Sequence, residues 1–233
     1  MKELEATEIA LEKITDLLIS HKYKPGDRLL ETILANELQL SRTPIRDALS
    51  RLVASGFLEK PKGQKGYQIP LLTPEDMKHV FQTRMLLEGH AVRKATEVCT
   101  HEDIIKLREL NQKEITAFHS NEKEVYANIN HMFHLFIANI PGNDYISRFV
   151  EQTFWRSRLY NFFFAGFYNL DDKLIQFRME HQKFSYQEHL ELINAMEEQR
   201  VDYAGDLMEE HIKKTYFHLL NPQAQRGDSD QEL

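Results

Sequence analysis

The sequence predicts a mainly α-helical protein: an N-terminal winged helix-turn-helix over residues 1–72, then an all-α antiparallel helical bundle over residues 73–220. A polar tail at 221–233, with Pro222, Gly227 and several charges, is expected to fray. Three observations predict this. Ser41-Arg42-Thr43-Pro44-Ile45-Arg46-Asp47-Ala48-Leu49 has a helix-start signature on an amphipathic stretch. A basic, glycine-rich tip over residues 59–66 separates two short apolar segments, as in a β-hairpin. From Thr73 almost to Leu220, apolar residues recur at helical spacing, interrupted by short polar breaks.

In order along the chain, Pro25-Gly26-Asp27-Arg28-Leu29 reads as a turn entering an extended segment. Ile33 to Leu38 reads as a supporting helix, and Gln39-Leu40 as the short connection a helix-turn-helix needs. In the next helix Ser41 or Thr43 can cap, and Pro44 falls in the first turn, where a missing N–H costs nothing. Ile45, Ala48, Leu49 and Leu52 form one inward apolar face. Arg42, Thr43, Arg46 and Ser50 lie off that face. Two arginines near the N-terminus of an exposed helix suit the major groove, where Arg forks onto guanine O6 and N7. Taken alone, they would equally suit a solvated surface helix. Ser55-Gly56 ends the helix, Phe57-Leu58 starts a strand, and Tyr67-Gln68-Ile69-Pro70-Leu71 alternates as a half-buried strand does. In such a wing Lys62, Lys65 and Gly66 are expected against a phosphate backbone or minor groove.

A net charge of −7 over 233 residues looks wrong for such a partner, but its distribution does not. Residues 42–67 carry +4, so the remainder carries −11 and the positive field is local. Met1-Lys2-Glu3-Leu4-Glu5 is charged, which argues against an apolar leader, and no apolar run is long enough to span a bilayer. The lone Cys99 offers no internal disulfide. The expected location is the reducing cytoplasm.

The first seventy or so residues resemble the GntR family of bacterial transcription regulators. The resemblance is carried by Pro25-Gly26, Leu29, Leu34-Ala35, Leu38, Ser41-Arg42-Thr43-Pro44-Ile45-Arg46, Ala48-Leu49, Leu52, Gly56, Leu58 and Lys65-Gly66-Tyr67. It implies a homodimer on a short pseudo-palindromic double-stranded DNA operator. Two positions depart from the pattern: Gln39 stands where Gly or Asn is common, and Thr32 where some relatives place an arginine.

In the second part, Thr73 caps and Pro74 opens the first bundle helix. Breaks are expected near residues 99–101, 119–121, 140–143, 169–172 and 199–202, giving roughly six helices. Arg84 and Glu88 are spaced as an exposed i,i+4 ion pair. With Gly89 and Ala91 they also resemble the FCD ligand-binding domain of the FadR subfamily. That resemblance implies that Arg84 faces a cavity and holds an acidic small-molecule effector, a carboxylate, with its planar fork. Asn130-His131-Met132-Phe133-His134, followed by Gly142-Asn143, resembles the family's Asp-x-x-Phe-His element. Glu188-His189 and Glu210-His211 resemble two later family histidines. By that resemblance Asn130, His134, His189 and His211 would surround one divalent ion, Zn²⁺ or Ni²⁺. Spacing agrees: Asn130 and His134 are i,i+4, and His189 and His211 each lie about 13 Å from the turn between their helices. Asn130 replaces an aspartate, so the site either binds more weakly, uses three histidines with water, or stays empty. His218, two turns beyond His211, is the competing candidate.

An aromatic cluster, Phe149, Phe154, Trp155, Tyr160, Phe162, Phe163, Phe164, Phe167 and Tyr168, suits core or dimer surface. It could also wall an effector pocket, with Arg156, Arg158 and Asn161 supplying polar contacts. The expected function is an effector-controlled DNA-binding regulator. The alternative is a metalloenzyme using the histidines. Against it, the chain has no HExxH helix, and Glu188 and Glu210 diverge by about 100° from the histidines they adjoin.

Overall fold

The computed structural model describes residues 2–19, 22–61, 63, 65–164 and 184–220. Lys62, the break at 169–172, Phe167, Tyr168, His181 and the tail 221–233 therefore lie outside the described residues. The chain divides into two compact units, Met1–Met77 with Trp155–Phe163, and Lys78–Phe154 with Phe164–Leu233.

The first unit opens with α1 (Lys2–Ile19), which the sequence reading did not anticipate. Its signal was present: Thr7, Ala10, Ile14 and Leu18 recur at helical spacing and are all buried. Next come β1 (Arg28–Leu29), α2 (Glu31–Leu38), α3 (Arg42–Ala54) and β2 (Tyr67–Gln68). Helix α3 packs on α1 and α2 through Ile45, Ala48, Leu49 and Leu52, the predicted face. Ser41 is the N-cap of α3 by backbone position, without a side-chain cap bond.

The expected hairpin is reduced. Its second arm shortens to β2, and its first arm meets β2 only at the bridge between Glu59 and Gln68. Strand β2 instead pairs antiparallel with β1, Leu29 facing Tyr67. Gly66 has φ +95°, and a Cβ there would lie 2.9 Å from the Leu29 carbonyl oxygen. This glycine is thus required by its own sheet's packing. Trp155–Phe163 completes the unit, with Phe57 edge-on to Trp155 at 5.2 Å and near Phe162 at 6.4 Å.

Gln39 ends α2 in the left-handed region, φ 54° and ψ 42°. A side chain there costs roughly 1 kcal/mol that glycine does not incur, offset in part by glycine's greater unfolded freedom. Gln39→Gly is expected to stabilise the protein by about 0.5 kcal/mol. A lowered thermal midpoint would show that the left-handed turn carries no strain.

The second unit contains α4 (Pro74–Val98) from Lys78 on, α5 (His101–His119), α6 (Lys123–Asn139), the first half of α7 (Asp144–Phe164), α8 (Ser185–Glu197) and α9 (Val201–Leu220). Helix α5 packs against α6 and α8, and α8 against α9. Thr100 and Asp103 form a capping box at the start of α5, and Thr73 caps α4 by accepting from the Asp76 N–H. The breaks at 99–101, 119–121, 140–143 and 199–202 fall between helices as expected, with Asn121, Gly142 and Gln199 at positive φ.

Candidate metal centre and nucleic-acid face

The apolar stripes of the bundle helices carry buried polar residues, and these converge. On α4, Arg84 and Glu88 lie on the same face as Phe81, Ala91 and Val92. On α5, Glu114 continues the row of Leu107, Leu110 and Asn111. Phe133 and His134 do so on α6, His189 on α8 and His211 on α9, all buried. Polar groups in such positions need partners.

The three imidazoles, His134, His189 and His211, offer ring nitrogens that all lie within 4.8 Å of one another. Each ring is held from behind by a carboxylate on its Nδ1. Glu88 holds His134 at 2.5 Å, Glu114 holds His189 at 2.8 Å, and Glu188 holds His211 at 2.7 Å. A neutral imidazole donating from Nδ1 presents a lone pair at Nε2. The Nε2 atoms of His134 and His189 are buried and find no hydrogen-bond partner among the described residues. Two unsatisfied acceptors cost about 1–3 kcal/mol each unless something between the rings takes their lone pairs. Phe133 stacks on His189 at 4.1 Å and fixes its plane.

Charge placement favours the same species. Burial pushes His134 down to about 3, against the opposing pull of Glu88, so its ring is neutral at neutral pH. His211 is lowered by burial too, with His189 adding repulsion. Burial disfavours ionised Glu88, yet Arg84 and His134 hold it near 2. Glu188 is likewise held near 2, burial opposing and His211 with Lys214 prevailing. Neutral rings at His134 and His211, backed by ionised Glu88 and Glu188, suit the donor set and outer shell of a divalent metal site. The residues present fit the ion that the sequence resemblance implied.

The candidates from sequence fare differently. His134, His189 and His211 come together; His218 is exposed. Asn130 lies one turn before His134, and its Nδ2 donates to Glu114 Oε1 at 3.2 Å. The Arg84–Glu88 pair is not exposed: Arg84 is 4% and Glu88 2% accessible, Nε to Oε1 at 2.6 Å. The guanidinium also lies 4.5 Å over the Phe154 ring. Arg156 and Arg158 belong to the first unit, where Arg156 Nε donates to Asp76 at 2.9 Å and Arg158 lies over Trp155 and Phe162. Glu88, Glu114 and Glu188 were missed as histidine partners. Glu188 serves His211 on the neighbouring helix, not its own neighbour His189. Acidic residues lying on apolar stripes were the available signal.

On α3, Arg42, Thr43, Arg46 and Ser50 are all exposed. Arg42 rests 3.6 Å from Glu31 and Arg46 3.7 Å from Asp47, loose pairs that leave both side chains more than half accessible. Ser50 sits 3.4 Å from the Tyr67 hydroxyl. Lys65 is exposed in the wing.

Comparisons with known proteins match this division of labour. Residues 6–66 match the family model of bacterial regulatory proteins, gntR family, and residues 79–214 match the FCD domain. The Nta operon transcriptional regulator of Aminobacter aminovorans is 26% identical over 206 residues, 88% of this chain and 90% of that protein. The HTH-type transcriptional regulator McbR of Escherichia coli is 32% identical over 133 residues, 57% of this chain and 60% of that one. Among solved structures, E. coli McbR/YncC superposes with a TM-score of 0.68 at 23% identity, covering 93% of this chain and 97% of that chain. A GntR regulator from Rhodococcus sp. RHA1 gives 0.67 at 17% identity, covering 93% and 98%. These likenesses speak to fold.

Proposed function

Since this chain belongs to the GntR family of bacterial regulatory proteins and carries an FCD domain, we propose that its FCD domain senses a carboxylate effector at a metal ion held by His134, His189 and His211. The chain is a transcriptional regulator with a DNA-binding module, not an enzyme. The observation that carries the sensor reading is the convergence of three buried imidazoles, each with Nδ1 on a carboxylate. Three histidines leave coordination positions on the ion for an anionic ligand. With neutral imidazoles as donors, the ion's charge is uncompensated by its first ligands, which favours a carboxylate there. The contacts of Arg84 with Glu88, and of Glu88 with His134, support a role for its positive charge in holding that anion. Zn²⁺ and Ni²⁺ both suit imidazole.

The DNA-reading part of the proposal follows from α3. Arg42, Thr43 and Arg46 face bases, Ser50 lies beside them, and Lys65 with Lys62 engages phosphates. One such helix reads a half-site, so two chains act together on a pseudo-palindrome. Effector binding shifts the balance between dimers that fit the operator and dimers that do not.

The test uses the full-length, metal-loaded protein and a labelled duplex selected from a random library. Mono-, di- and tricarboxylates are added while DNA affinity is read by anisotropy. At least one class should change affinity by about fivefold or more. The change should vanish in Arg84→Ala and return poorly in Arg84→Lys, which lacks the planar fork. No response to any carboxylate would count against the sensor reading.

A further inference from the structure

We propose that Asn130 is a positioning residue of the histidine centre, acting through Glu114 on His189, and not a weakened copy of an aspartate ligand. This rests on the reading of the three histidines as a metal site.

Glu114 is fully buried, and its carboxylate serves His189, Asn130 and the Tyr126 hydroxyl. Oε2 faces His189 Nδ1 at 2.8 Å, and Oε1 accepts from Asn130 Nδ2 at 3.2 Å. A side-chain amide has one donor end and one acceptor end, and only the NH₂ end can face a carboxylate. The orientation of Asn130 is thus dictated by chemistry, whatever the density of atoms around it. That N–H, together with the Tyr126 hydroxyl, holds Glu114 so that Oε2 faces His189. His189 is then locked twice, its plane by Phe133 and its tautomer by Glu114. Outer-shell bonds of this kind are what keep an imidazole lone pair aimed at an ion.

An aspartate at 130 reverses this. It offers only acceptors, and it would set a second carboxylate about where the amide nitrogen now donates. Two acceptors facing each other repel, and Glu114 Oε1 loses the amide donor. Glu114 then swings away, and His189 Nδ1 loses its acceptor. Asparagine at this position and glutamate at 114 are therefore complementary.

The test measures Zn²⁺ affinity by chelator competition and Co²⁺ absorption on full-length wild type, Asn130→Asp and Asn130→Ala. The ¹⁵N resonances of the histidines are followed in the metal-free proteins. Both variants should bind Zn²⁺ about tenfold or more weakly than wild type at neutral pH. The Co²⁺ bands of Asn130→Ala should keep their energies and intensities, because no donor has left the ion. In the metal-free variants the His189 resonances should move toward the Nε2–H tautomer, while His134 and His211, held by Glu88 and Glu188, stay put. Tighter metal binding in Asn130→Asp, or altered Co²⁺ bands in Asn130→Ala, would overturn the proposal and make Asn130 a ligand. If wild type takes up no metal, the metal reading fails and the ¹⁵N shifts alone decide. A selective His189 response upholds the relay, and unchanged His189 tautomers remove it.

Discussion

Glu88→Ala is expected to destabilise the bundle by about 3–5 kcal/mol, the usual cost of stripping one partner from a buried ion pair. Arg84 is 4% accessible and would lose its contact with Glu88, while His134 would lose its Nδ1 acceptor. Glu88→Gln keeps the shape and an acceptor oxygen, so it should cost less. Arg84→Met combined with Glu88→Gln should cost less than the sum of the two single changes, because the charge is removed together with its partner. Urea denaturation reads all of these. A loss below about 1 kcal/mol for Glu88→Ala would mean that water reaches the pair.

The same triad sets the response to acid. The unfolded chain binds a proton at His134 below about 6.5, whereas in the fold that proton binds only near 3. The unfolded state therefore holds more protons through that window, and stability falls as pH drops from 6.5 toward 3. Glu88, depressed from 4.5 to about 2, adds a loss of the same sign between those values. Glu88→Ala should flatten the lower part of the curve. Protons also compete for the histidine lone pairs, so bound metal should be released over the same acid range.

On the DNA side, Arg46→Ala is expected to weaken binding to the selected operator by about 1–3 kcal/mol and to relax preference at one base position. Arg46 lies in the N-terminal half of α3, more than half accessible, with a loose pair to Asp47 at 3.7 Å among the described residues. Lys65→Ala should behave differently, weakening all duplexes alike and lowering the salt slope by about one. Anisotropy titrations against matched and scrambled duplexes separate the two behaviours. If Arg46→Ala kept wild-type affinity and base preference, α3 would be reading DNA with another face.

How much of this was legible in the sequence follows from the range of the forces involved. The inward face of α3 and the helix breaks were legible because spacing, caps and turn residues are local. The three histidines were legible through resemblance, and the spacing of His189 and His211 about the Gln199 turn agreed with it. The carboxylates behind them were not, because each pairing joins residues distant in sequence: Glu88 to His134, Glu114 to His189 and Glu188 to His211. Glu188 was discounted by considering only its own helix, where it does point away from His189. Arg84 and Glu88 carried two readings, exposed pair or cavity arginine. The structure adds a third element, since Glu88 spends its second oxygen on His134. Helix α1 went unread although its stripe was regular. The wing was over-read, because β2 found its main partner in β1 and not in the segment just before the tip.

The measurement closest to the central claim is metal stoichiometry on the full-length protein, by competition with a chromophoric chelator. It compares wild type with His134→Ala, His189→Ala, His211→Ala and His218→Ala. The account predicts one divalent ion per wild-type chain, with a rise in melting temperature that grows with free metal. Each of the first three variants should lose most of that affinity, and His218→Ala should bind as wild type does. Uptake that is absent in wild type, or equal in all five proteins, would contradict the metal centre and leave three buried imidazoles that merely pack.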